Sequence, residues 1–177
     1  MDISNRIPKQ KEILPVYAII VLMIYGWTIL KFNYNVPGWL YFLNIGEMMS
    51  IFAYSMTVNL LESMIVLLGV IAVGVVLPKK WFADAFIARG VSLSILALGL
   101  MMYIADQFNT KEYYPADIIR WLPAVLILIG LVIYFLGRVP FARKAIEFFA
   151  DRAIIFLYIS IPVSALSLIV VLIRNIF

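Results

Sequence analysis

Two carboxylates, Glu47 and Glu62, stand in a stretch that is otherwise almost entirely hydrocarbon, "NIGEMMSIFAYSMTVNLLESMIVLLGV". An ionised carboxylate at the centre of a bilayer costs at least ~2.5–3.5 kcal/mol on insertion scales, so such a group is expected to face protein or water. There it can hold a proton, a cation, an amine or a partner's positive charge. Ser55, Asn59 and Glu62 recur at i, i+4 and i+7, and Glu47, Ser50, Tyr54 and Thr57 at i, i+3, i+7 and i+10, so each set shares one face of a helix. The set Glu62, Asn59, Glu47 and Ser55 is therefore the expected ion, proton or partner site. Plainer duties are open to both acids: solvation of Glu47 at an interface, and a proton or a hydrogen bond from Asn59 for Glu62.

A second concentration of charge lies in "ADQFNTKEYYPADIIRW", with Asp106, Glu112, Asp117 and Arg120 in one short connection. It is expected to be a solvated outer loop whose acids could attract a cation or a partner, with Asp117 suited to the first turn of the next helix.

The absent residue types restrict the chemistry further. With no Cys and no His, thiol exchange, His-ligated haem, Cys-bound clusters, the usual zinc sites and His-assisted nucleophiles are excluded. No GxGxxG, P-loop, HExxH or GxSxG pattern occurs. No catalytic constellation is visible and no cofactor or metal is expected.

The elements that must position these groups follow from composition. Of 177 residues, 65% are hydrophobic and 14% charged, with a mean hydropathy of +1.04, whereas soluble domains are about half apolar and a quarter charged. The apolar runs are continuous rather than alternating, which favours helices over a β-barrel. The expected fold is an all-α polytopic integral membrane protein, one domain over residues 1–177, with about five spans at about 15–32, 57–77, 87–103, 121–136 and 153–173. Residues 43–77 would make a helix of about 52 Å, too long for one crossing of ~30 Å. The expectation is a division near residue 57, with residues 43–56 as an outer interfacial or re-entrant helix and Glu62 in the outer third of the span that follows. The stretch "GRVPFARKAIEFFADR" reads as a short cytoplasmic amphipathic helix with Arg143 and Glu147 paired at i, i+4.

Orientation follows from basic residues. With the N-terminus inside, Arg6, Lys9, Lys11, Lys79, Lys80, Arg89, Arg138, Arg143, Lys144 and Arg152 fall on the cytoplasmic side, against Lys31, Lys111, Arg120 and Arg174 outside. That bias predicts N-in and C-out in a bacterial or archaeal cytoplasmic membrane, with the first span an uncleaved anchor. It also accounts for the net charge of +4 without any nucleic acid. Small residues recur in the second, third and fifth spans, where they let helices approach closely. Pro162 should kink the fifth. Membrane lipids and other membrane subunits, or a homo-oligomer, are the expected partners. The expected function is an accessory or assembly subunit of a larger membrane complex. The alternatives are a transporter or channel component using Glu62, and a lipid-modifying enzyme.

Overall fold

The computed structural model describes residues 8–78, 81–110 and 116–176, the side chains of residues 83, 109, 110, 116, 117 and 119 excepted, and every regular element among them is helical. Helix α1 (Gln10–Trp39) begins where the Glu12 carboxylate accepts from the Lys9 N–H at 2.9 Å. Helix α2 (Ile45–Val76) begins with a reciprocal cap: the Glu47 N–H donates to Asn44 Oδ1 at 2.9 Å, and the Asn44 N–H to Glu47 Oε2 at 2.8 Å. Two of the amide donors that every helix start leaves open are thereby satisfied. α2 ends at Leu77, whose backbone is extended ahead of Pro78, as the ring of a following proline requires. A short 3-10 turn (Ala83–Ala85) leads into α3 (Phe86–Thr110), and α4 (Ala116–Leu136), α5 (Pro140–Ala153) and α6 (Ile155–Ile176) complete the chain.

Four stretches are long and apolar enough to cross a membrane: Gln10–Trp39, Ile45–Val76, Phe86–Phe108 and Pro140–Ile176. The apolar helix Arg120–Leu136 is shorter. The protein is an all-helical integral membrane protein with about five spanning helices.

The division expected near residue 57 is replaced by an unbroken helix of 32 residues. The reason is local: no proline or glycine interrupts residues 47–68, and the Asn44–Glu47 cap starts the helix well before the expected span. α1 matches the extra length by continuing through Pro37 to Trp39. Phe32 packs edge-on against both Phe52 at 5.3 Å and Trp39 at 5.4 Å between ring centres. Glu47 is thus a capping residue at the start of α2.

α1 is the axis of the bundle. It touches α2, α3, α5 and α6, and Val16, Ala18 and Ile20 are wholly enclosed. Towards the end where α1 begins, here termed proximal, Gly90 lies against Val16 and Val70. Towards the opposite, distal end, Lys31 Nζ meets Asp106 Oδ1 at 2.6 Å. These contacts fix α3 as running in the same direction as α1, and α2 as opposed to it.

The surface is inverted relative to a water-soluble bundle. α6 buries Leu157, Ser160, Ser164 and Ser167 and turns Phe156, Ile159, Leu166 and Ile169 outward; α2 likewise exposes Val58, Leu61, Ile65 and Leu68. Contiguous apolar surface of this extent belongs against hydrocarbon. Pro162 lies on the outward side of an α6 that continues through it. α5 carries the expected Arg143–Glu147 pair at 2.8 Å, with Ala150 and Ala153 against the bundle and Phe148 and Phe149 exposed.

Candidate functional site

The sequence-predicted face Ser55–Asn59–Glu62 is divided by α1. Asn59 points into the α1–α2 seam, only 4% exposed, where its Oδ1 accepts from Thr28 Oγ1 at 3.0 Å and its amide nitrogen makes no hydrogen bond. Ser55 lies further towards the distal end, donating to the Ile51 carbonyl at 2.8 Å. Glu62 is exposed and lines a groove of about 200 Å³ between α1, α2 and α3, beside Trp27, Thr28, Leu98, Met101 and Met102. No hydrogen bond or ion pair reaches its carboxylate among the described residues.

The depth of Glu62 follows from α3. Arg89 and Asp106 mark its two charged levels, roughly 26 Å apart at ~1.5 Å per residue. Leu98 and Met102, which flank Glu62 in the groove, stand roughly 14 and 20 Å along that interval. Met101 and Ala105 line the same groove, so Glu62 lies inside the apolar layer, towards its distal side.

α1 supplies a series of hydroxyl groups to its neighbours. Tyr17 Oη is 3.3 Å from Ser63 Oγ on α2, and Tyr25 Oη is 2.5 Å from Ser164 Oγ on α6. Together with Thr28–Asn59 they form a polar seam inside the bundle. Hydrogen bonds between membrane helices average about 0.6 kcal/mol and reach about 1.7. Tyr25→Phe should therefore lower stability by about 0.6 kcal/mol, read as the midpoint of a denaturing-detergent titration. A larger loss would show that Tyr25 holds more than this one bond.

No family model, curated protein or solved structure matches this chain. The site is accordingly read from its own geometry.

Of the outer-loop residues, Asp106 and Arg120 lie among those whose side chains are described. Asp106 is engaged by Lys31, both side chains about two-fifths exposed, a pair worth at most ~1 kcal/mol at such exposure. Arg120 lies in the opening turns of α4 and is exposed. Glu112 and the Asp117 side chain lie outside the described residues. Among the described residues no three metal-ligating side chains meet.

Two features went unread in the sequence although a signal was present. Asn44 and Glu47 have the spacing of a capping box, and Tyr17, Tyr25 and Thr28, at i, i+8 and i+11, fall on one broad side of α1.

Proposed function

We propose that the chain is an accessory subunit of a larger membrane complex, and that the Glu62 groove seats a partner's transmembrane helix bearing a lysine or arginine at the same depth. The observation that carries this reading is an exposed carboxylate, inside the apolar layer, with no partner among the described residues. Such a group requires a countercharge or a proton. A second copy of this chain could not supply a cation there: α2 has none, and residues 12–30, 90–110, 121–137 and 153–173 contain no Lys or Arg. The groove also combines Trp27 with two methionines, soft and polarisable walls suited to the stem and head of a long cationic side chain. The Lys and Arg distribution supports a cytoplasmic proximal end.

The test is extraction of the native membrane in a mild detergent, followed by sizing. Wild type should travel with a larger partner, and Glu62→Gln should release it while the chain itself stays folded. A lone wild-type chain, or a complex indifferent to Glu62→Gln, sinks the proposal.

One observation favours a second reading, transport. Trp27 and Thr28 line both the Glu62 groove and a distal groove shared with Ser55, Lys31 and Asn35. The two grooves supply a course from the distal boundary towards the carboxylate. On that reading Glu62→Gln abolishes pH-dependent cation flux in vesicles containing the purified chain alone, and unchanged flux removes Glu62 from the mechanism.

A further inference from the structure

At the proximal end, three arginines converge where α3, α4 and α5 meet. Arg89, on the first turn of α3, is only 3% exposed. Its guanidinium lies against Gly137, just past the end of α4, so closely that a Cβ there would collide with it. The next residue, Arg138, sits over the Tyr134 ring at 4.3 Å and meets no carboxylate among the described residues. Arg143 follows on the first turn of α5 and is held by Glu147 at 2.8 Å. Asp84, Arg138, Arg143 and Tyr134 all act electrostatically on the Arg89 guanidinium.

Among the described residues Arg138 leaves an excess of positive charge at this corner, since Glu147 is already engaged by Arg143 and Asp84 acts on Arg89. The start of α5 adds to the excess. Its N-cap is Val139, which has no side-chain oxygen to offer, and Pro140 opens the helix. The first amide donors of α5 thus lack a side-chain cap and point their partial positive charge at the same corner. Trp81 and Phe141, 58% and 84% exposed, flank it, with Trp81 packed on Tyr134 at 5.3 Å. Aromatic side chains of this kind mark the headgroup level of a bilayer.

We infer that this corner is a binding site for a phosphate-ester group, held by Arg138 and Arg143 with the buried Arg89 behind them. Arginine matches phosphate oxygens in pairs through its planar fork of donors, and an uncapped helix start adds amide donors to the same anion. The phosphate ester comes either from an anionic phospholipid in the adjacent leaflet or from a soluble phosphorylated molecule. The chemistry of the site is the same for both. This inference is independent of the role of Glu62, which lies on another face and at another depth.

The full chain purified in a non-ionic detergent provides the test, with thermal unfolding followed against added dihexanoyl-phosphatidylglycerol, glycerol phosphate, and dioctanoylglycerol, which has no phosphate. At least one phosphate compound should raise the unfolding midpoint with saturation, and dioctanoylglycerol should not. Stabilisation by the phospholipid alone assigns the lipid as source; equal stabilisation by glycerol phosphate assigns the soluble ester. The double variant Arg138→Gln with Arg143→Gln removes two exposed side chains and should weaken the apparent affinity at least ten-fold. Arg152→Gln with Arg174→Gln removes the same charge from the far end of α5 and from the distal end of α6 and should change it less than two-fold. Equal losses from the two double variants, or stabilisation by dioctanoylglycerol as large as by the phosphate compounds, overturns the inference. Circular dichroism of both variants establishes that the fold is retained before affinities are compared.

Discussion

Replacing Gly90 with leucine is expected to destabilise the bundle by about 3 kcal/mol, at the upper end of the usual cost of overpacking a filled core. A Cβ at this position would already stand 3.2 and 3.3 Å from the two methyl groups of Val16 and 3.4 Å from Val70. Val16 is fully enclosed and β-branched, so it has one comfortable rotamer in a helix and little freedom to move aside. The remaining carbons of a leucine would have to enter the junction of α1, α2 and α3. Lipid offers no hydrophobic drive to hold these helices together, so their close van der Waals contact is the main attraction available. Gly90→Ala is the control. Its crowding is offset by the ~1 kcal/mol advantage of alanine over glycine in a helix, leaving a net change within about 1 kcal/mol. Denaturing-detergent titration with helicity as the signal separates the two. A leucine variant as stable as wild type would show that the three helices do not meet at Gly90.

The second large effect is expected at Ser164. Ser164 is fully buried, bonds Tyr25 and also donates to the Ser160 carbonyl at 2.8 Å. Ser164→Ala removes both bonds, of which only the link to Tyr25 joins two helices, and should cost about 0.6 kcal/mol for that link. Ser164→Leu adds volume where α6 approaches α1 and should cost about 2–3 kcal/mol. It also leaves the Tyr25 hydroxyl without its partner in a dry interior, which adds to the loss. Because α6 contributes its serines inward and its large apolar residues outward, the leucine variant should detach α6 before the rest of the bundle unfolds. Hydrogen exchange that rises first over residues 155–176 would report this. Uniform exchange over all helices would refute an independently detaching α6.

Much of this architecture is legible in the sequence, because it depends on composition and local pattern. The continuous apolar runs imply membrane helices, and "FARKAIEFF" carries both the amphipathic pattern of α5 and its Arg143–Glu147 pair. The length of α2 departs from the sequence expectation for a physical reason. An apolar run longer than the membrane can divide, or it can continue outward beside an equally long neighbour. The choice depends on Phe32 meeting Phe52, a contact between residues of different helices that no window of sequence contains. Glu62 illustrates the same limit. Its spacing with Asn59 and Ser55 defines a helix face of α2, but the boundary between α1 and the groove cuts through that face. Asn59 falls on one side of the cut and Glu62 on the other. Tertiary placement, not periodicity, decides which of two neighbouring polar side chains is enclosed.

The unequal helices have a mechanical consequence for the surrounding lipid. From Met48 to Val76 α2 carries a single charged residue, Glu62, whereas α4 is 21 residues long, so one molecule presents two apolar heights, about 44 Å on one flank and about 32 Å on another at ~1.5 Å per residue. A fluid bilayer can match only one of them at rest. Lipids along the tall flank must stretch, or the helices must lean, each at a fraction of a kcal/mol per Å of misfit. A neighbouring helix laid along α2 would replace those strained lipids with protein, and the elastic energy released would add to whatever charge pairing Glu62 provides.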